Sequence, residues 1–284
     1  MRIFEDINPL QAFLRSKKAN QENIGFVPTM GALHQGHISL INASKVENDI
    51  TICSIYVNPE QFSNPTDLVK YPRLLQEDIK MLEAASCDVL FCPSDKVMYP
   101  ERPKLKIDFG FLETTMEGKF RQGHFTGVAI IVSKLFHIVN PDRVYFGQKD
   151  LQQFLIVKQI NNELSFNLQL QCVPIVREQD GLAMSSRNSR LDKKERLTAA
   201  QLYQSLTIGK QNLLVTENVF DTKNKMAHYL SAFNDIRVEY IEIVDAADLN
   251  VVNDITQHEQ VALCIAAYVG NVRLIDNILL FNID

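Results

Sequence analysis

Two imidazoles stand three residues apart, His34 and His37, in the segment Pro28 to His37, which reads PTMGALHQGH and directly follows the apolar run Ile24 to Val27. With that run as a strand and a helix beginning at Gly36, both rings sit at a strand-to-helix turn. There the unpaired amides and the positive end of the helix dipole favour an anion such as phosphate. Further along, Met184 to Asn188 reads MSSRN and offers two hydroxyls and a guanidinium, Ser185, Ser186 and Arg187. Imidazole, hydroxyl and guanidinium are the donor types that a polyphosphate calls for. Nucleotide chemistry is the first expectation.

Rival chemistries fit the spacing less well. Gly31 and Gly36 have the GxxxxG spacing of a phosphate-binding P-loop, but His37 and Ile38 stand where that loop needs Lys and then Ser or Thr. A zinc site needs three or four ligands, and neither a Glu inside HxxH nor a CxxC pair accompanies the two histidines. Cys53, Cys87, Cys92, Cys172 and Cys264 form an odd set without metal-type pairing, and the sequence shows no basic partner for any of them. They are expected to be reduced, mostly buried thiols rather than nucleophiles. Taken alone, MSSRN reads as a solvated loop. Its pairing with the upstream HxGH turn, across alternating strand and helix patterns, turns that reading toward a functional one.

The elements that must position these groups follow from periodicity. Strand-like runs recur at Ile24 to Val27, Ile50 to Val57, Asp88 to Cys92, Arg143 to Phe146 and Leu170 to Val176. Between them, Leu75, Ile79 and Leu82 repeat at helical spacing, as do Val128, Ile131, Val132, Leu135, Phe136 and Val139. Strands alternating with helices predict a mostly parallel sheet covered on both faces, with ligands beyond the carboxyl ends of its strands. Pro28, Asn58, Pro93 and Gly147 follow four of the runs and mark that edge. After about Asn188 the pattern changes. Two charged helical stretches, Asp192 to Leu214 and Glu217 to Phe233, precede strand-like Val238 to Val244, Val261 to Tyr268 and Val272 to Ile275. The chain is therefore predicted to be α/β, with a Rossmann-like parallel-sheet domain over 1–184 and a smaller C-terminal α+β domain over 185–284. The boundary is placed within Gln179 to Asn188.

A chain of 284 residues, 46% hydrophobic and 22% charged, has room for one large or two modest cores. A formal net charge of −5 argues against a surface given over to nucleic acid, which favours a nucleotide over a polynucleotide. The N-terminal MRIFEDINPL carries acids and a proline where a signal peptide needs a continuous apolar stretch, and the best apolar helix is interrupted by Lys134 and His137. No membrane association is expected, and the cytoplasm is the expected compartment.

Three further segments narrow the choice: YVNPEQF at Tyr56 to Phe62, EGKFRQGHFTG at Glu117 to Gly127, and GQKDLQQ at Gly147 to Gln153. With PTMGALHQGH, MSSRN and the tail segment VEYIEIVDAADL, they closely resemble the pantoate–β-alanine ligases, the pantothenate synthetase family. These belong to the nucleotidyltransferase superfamily that includes the class I aminoacyl-tRNA synthetases, where MSSRN corresponds to the KMSKS-like loop. A nucleotide adenylyltransferase of the same superfamily would share the HxGH turn without needing YVNPEQF or GQKDLQQ. A noncatalytic RNA-binding module would need motifs that this acidic chain lacks.

The resemblance implies an ATP site lined by Met30, Gly31, Ala32, Leu33, His34, Gln35, Gly36 and His37, with His34 and His37 near the phosphates. It places Gly147, Gln148, Lys149 and Asp150 at the adenosine and α-phosphate, and Val176, Met184, Ser185, Ser186 and Arg187 closing over the nucleotide. Gln61 and Gln153 are implied to grip pantoate, their neutral amides able to donate and to accept, with Asn58 bordering the same pocket. Tyr71 and Asp78, in YPRLLQED, match a segment near the triphosphate and its Mg2+, so Asp78 reads equally as the candidate metal ligand and as an ordinary exposed helix residue. Glu117 lines the pocket less directly, and Arg121 reads equally as a surface or subunit-contact residue. Gln35 and Gln148 occupy motif positions that vary in the family. The implied reaction is ATP-dependent condensation of pantoate with β-alanine through a pantoyl adenylate, with His34, His37, Lys149, Ser185, Ser186 and Arg187 as the catalytic groups. A homodimer is implied as well.

Overall fold

The computed structural model describes residues 1–281. The chain divides into two compact units. The first comprises Met1–Gln148 with Gln153–Pro174, and the second comprises Lys149–Gln152 with the chain from Ile175 onward.

The first unit is built on six strands, β1 (Arg2–Phe4), β2 (Ile24–Thr29), β3 (Ile50–Ile55), β4 (Val89–Phe91), β5 (Arg143–Gly147) and β6 (Gln169–Val173). They pair in the order β1-β4-β3-β2-β5-β6, and every pairing is parallel. Successive side chains of a strand point to opposite faces, and the cores divide accordingly. Phe26, Ile52, Val89, Phe91, Val144 and Phe146 join one cluster, completed by Val128, Val132, Leu135 and Phe136 of the His124–Val139 helix and by Leu10 and Leu14 of the Ile7–Ala19 helix. The intervening Val27, Cys53, Leu90 and Tyr145 join the other, with Leu40 and Ile41 of the Gln35–Glu47 helix and Leu82 of the Leu75–Ala84 helix. Both faces are thus buried, which is why β2 and β3 read as almost unbroken apolar runs. Truncating Phe26, which has no exposed surface, removes a side chain whose loss costs about 3–5 kcal/mol in such a core.

Strand order reverses between β2 and β5. From β2 the chain runs outward through β3 and β4, then returns to lay β5 on the opposite side, with Gly25 beside Arg143 and Phe26 beside Val144. Open parallel sheets bind ligands at such a switch point, beyond the carboxyl ends. Thr29 and Gly147 end the two strands there, and the PTMGALHQGH and GQKDLQQ segments start in their last residues and run on beyond them. This is the α/β architecture expected from the sequence.

The second unit carries a three-stranded antiparallel sheet, β7 (Ile236–Asp245), β8 (Gln260–Val269) and β9 (Val272–Phe281), in that order. Leu202, Leu206 and Leu213 of the Gln201–Thr216 helix and Met226 and Leu230 of the Val219–Ser231 helix cover it through Ile243, Leu263 and Ile265. The expected helix over Asp192 to Leu214 is divided into Lys193–Ala199 and Gln201–Thr216. Among the described residues no helix is long and apolar enough to cross a membrane. All five cysteines are free: Cys53, Cys87 and Cys264 are buried, Cys92 is half-buried and Cys172 is exposed.

Candidate active site

The loop that leaves β2 turns through positive φ at Gly31 (79°) and Ala32 (49°). A side chain at Gly31 would place its Cβ 2.9 Å from Ile55 Cγ2 and 3.0 Å from Asp78 Oδ2, so glycine is required by space as well as by conformation. Asp78 is almost wholly buried, and its two carboxylate oxygens accept the amides of Ala32 (2.9 Å) and Leu33 (2.7 Å). Burial pushes its pKa above the ordinary aspartate value, and the two amides pull against that shift. The Gly31 amide donates to Thr29 Oγ1, which itself donates to the Ser54 carbonyl of β3. The loop is tied to the sheet and to the Leu75–Ala84 helix by its own backbone.

His34 and His37 open the Gln35–Glu47 helix as a reciprocal cap. The Gly36 amide donates to His34 Nδ1 at 3.1 Å, and the His34 amide donates to His37 Nδ1 at 3.3 Å. The rings lie with centroids 4.1 Å apart. A ring nitrogen that accepts an amide carries no proton, so both neutral rings hold theirs on Nε2. Each histidine therefore presents an N–H donor from a helix N-terminus at the switch point, which suits an incoming phosphate oxygen.

Asn58 precedes the short Pro59–Gln61 turn beyond β3 and Gln61 ends it, and both are buried. Asn58 Nδ2 donates to Gln61 Oε1 at 3.1 Å, and Gln61 Nε2 lies 3.1 Å from Met30 Sδ, which joins the YVNPEQF segment to the HxGH loop. Tyr71 is buried edge-on against Phe62. Glu117 is buried and pairs with Arg121 at 3.5 Å. Gln153 is half-buried in the Leu151–Glu163 helix, beyond Gly147 and Gln148 at the end of β5. The first unit thus gathers Met30 to His37, Asn58, Gln61, Asp78 and Gly147 along one edge of the sheet. Gln35 is exposed there.

The second unit holds the remaining candidates. Lys149 Nζ lies 3.7 Å from Asp150 Oδ2, and the Lys149 carbonyl accepts from Asn277 Nδ2 at 3.1 Å. Val176 and Met184 face each other in a short antiparallel ladder, the Met184 amide donating to the Val176 carbonyl at 3.0 Å. Ser185 Oγ caps the short Ser186–Arg190 helix by accepting the Arg187 amide, and Asn188 Nδ2 closes the loop on the Ala183 carbonyl.

Three contributors escaped the sequence. His124 was in view inside EGKFRQGHFTG; it is buried and its Nδ1 donates to the Gln61 carbonyl at 2.8 Å. Tyr99 and Asn277 carry no local signal, because each acts on a partner remote in the chain.

The profile of the Pantoate-beta-alanine ligase family matches residues 2–279. The chain belongs to that family. The pantothenate synthetase of Cytophaga hutchinsonii is 46% identical over 275 residues, covering 96% of this chain and 97% of that protein. The crystal structure of pantothenate synthetase from Thermus thermophilus superposes with a TM-score of 0.92 at 37% identity, covering 98% of this chain and 99% of the other. The pantoate-β-alanine ligase of Francisella tularensis, crystallised with β-γ ATP and β-alanine, gives a TM-score of 0.81 at 38% identity, covering 98% of this chain and 97% of that one. The family pattern runs through both units of the fold.

Proposed function

We propose that this chain is an ATP-dependent ligase that condenses pantoate with β-alanine to give pantothenate, AMP and pyrophosphate. The observation that carries this reading most directly is the pair of Nε2–H donors, His34 and His37, fixed at a helix N-terminus at the β2/β5 switch point. It is supported by the family match and by the nucleotide and β-alanine bound in the Francisella relative.

An amine does not displace oxide from a carboxylate at neutral pH, so the acid must first be activated. The pantoate carboxylate attacks the α-phosphate of ATP, forming pantoyl adenylate and expelling pyrophosphate. The β-alanine amine then attacks the acyl carbon, and AMP leaves with the bridging oxygen. The first step builds negative charge on the phosphate oxygens and calls for donors set in place beforehand. His34, His37, Lys149, Ser185, Ser186 and Arg187 are assigned that task, Gln61, Gln153 and Asn58 the pantoate, and Met30 to His37, Gly147 to Asp150, Val176 and Met184 the nucleotide. The mixed anhydride is hydrolytically labile and needs a site that excludes water, the role proposed for the 185–284 domain.

Mg2+ enters this reading as part of MgATP. Among the described residues no three His, Cys, Asp or Glu side chains stand together as a metal site, and Mg2+ on a triphosphate needs few protein ligands. Asp78 braces the loop through the two amides that its oxygens accept, and the lone pairs left on those oxygens keep it the candidate ligand for Mg2+. The enzyme is further proposed to work in the cytoplasm as a homodimer, for which light scattering should give a mass near twice the 32.4 kDa chain.

AMP formation assayed with each substrate omitted in turn tests the activity. With pantoate and MgATP alone the enzyme should exchange labelled pyrophosphate into ATP. Oxygen-18 from the pantoate carboxylate should appear in AMP once β-alanine is added. ADP as product, with label in inorganic phosphate, would mean an acyl phosphate and overturn the adenylate.

A further inference from the structure

The first unit contains a buried polar relay whose atoms can be assigned without ambiguity. The Gly127 carbonyl can only accept, so the Asn58 atom 3.1 Å from it is the amide nitrogen Nδ2. Asn58 Oδ1 then faces the Tyr99 hydroxyl, which donates to it at 2.9 Å. The second N–H of Asn58 points at Gln61, so the Gln61 atom 3.1 Å away is Oε1. The Gln61 carbonyl is thereby occupied, and its amide nitrogen is left facing Met30 Sδ, a weak acceptor. The close approach that anchors the relay depends on Gly127, where a Cβ would lie 2.3 Å from the Glu60 carbonyl.

We infer that Tyr99 is a positioning residue that fixes the polarity of the pantoate pocket: through Asn58 it holds Gln61 with its amide N–H groups, and not its carbonyl, toward the substrate. The inference rests on the assignment of Gln61 to pantoate. It narrows the amide's expected dual role to that of a donor, suited to a carboxylate or hydroxyl oxygen of the acid. Tyr99 is half-buried, and burial with the nearby Glu60 and Asp95 carboxylates keeps its phenol protonated and able to donate. Without that donor, the buried Asn58 Oδ1 loses its partner, and the Asn58 amide loses the contact that fixes its orientation at that end.

Tyr99→Phe is the direct test, because the ring contacts with Tyr56 and Lys134 survive in the variant. Pantoate KM should rise about tenfold, the scale of one hydrogen bond, while kcat and the KM for ATP stay within about twofold, the signature of lost uniform binding. A merely structural role would lower kcat through a smaller active fraction and leave pantoate KM unmoved; that result, or wild-type kinetics, overturns the relay. Gln61→Glu tests the polarity independently of Tyr99. Its carboxylate can still accept from Asn58 but turns an acceptor toward the substrate, so pantoate KM should rise further than in Gln61→Ala. A pantoate KM in Gln61→Glu equal to or below that of Gln61→Ala would overturn the assignment. Pantoate-dependent pyrophosphate exchange by the wild-type chain reads the activity separately, since its absence would sink the proposed reaction, whereas unchanged variants with exchange intact sink only the relay.

Discussion

The Asp78 carboxylate receives the Leu33 amide at 2.7 Å while its other oxygen takes the amide of Ala32. A buried acid thus sits beneath the turn that delivers both histidines. Replacement by Asn leaves one acceptor for two amides and sets an NH2 group against the other. Asp78→Asn should lower stability by about 1–3 kcal/mol, the cost of an orphaned buried donor. It should also depress pyrophosphate exchange at least tenfold, on the scale of a misplaced catalytic group. Urea unfolding and the exchange assay on one preparation check both. Wild-type exchange in the variant would show that the brace does not set the histidines.

The reciprocal cap separates two duties of His37. His37→Asn keeps an acceptor near the Nδ1 position and loses the Nε2–H, so helix stability should hold while turnover falls roughly 100- to 1,000-fold, as when one preorganised donor is removed. His34→Ala should lose turnover on a similar scale, whereas His228→Ala, exposed on the Val219–Ser231 helix, should change little. Equal mild losses at all three positions would contradict the phosphate assignment.

Arg177 donates to both oxygens of the buried Asp276 at 2.6 and 3.0 Å and lies over the Tyr203 ring. Burial pushes the Asp276 pKa up and Arg177 opposes it, so removing the guanidinium strands a desolvated acid. Arg177→Met should cost about 3–5 kcal/mol in denaturant unfolding, and much of that should return in the double variant with Asp276→Leu. A loss below about 1 kcal/mol would mean that the pair behaves as a surface contact.

Arg196 donates to both oxygens of Asp180 and holds its pKa below the ordinary value. A depressed folded-state pKa gives stability that is present above the unfolded value and lost as pH falls through the folded one. As pH falls through and below the ordinary aspartate range, the wild type should therefore lose its small advantage over Arg196→Gln. That advantage is below about 1 kcal/mol for so exposed a pair. Thermal midpoints across that range provide the check; a gap that widens toward acid would contradict the sign.

The central strands were legible in the sequence because both of their faces are buried, which leaves unbroken apolar runs at Ile24 and Ile50. β1 was not legible: it has three residues, none of them buried, at the edge of the sheet. The break at Ala200 is announced by neither Gly nor Pro. The site was legible wherever chemistry clusters in short segments, as in PTMGALHQGH and GQKDLQQ. It was illegible wherever a partner arrives from elsewhere in the chain. Nothing in QED marks Asp78 as buried, and nothing near Tyr99 points to Asn58. Likewise, Asn277 meets the Lys149 carbonyl only through the folded second unit.

The lateral pairing of β2 with β5 also sets the order in which the protein can be built. A ribosome-bound chain that has released β4 but not β5 already holds β2 and β3, yet the far edge of β2 has no neighbour and its apolar residues lack half their cover. Closing that gap joins segments distant in the chain, the kind of step that slows folding. The crevice between β2 and β5 is therefore completed late in synthesis, and a chain ending ahead of Arg143 leaves that edge of β2 unpaired.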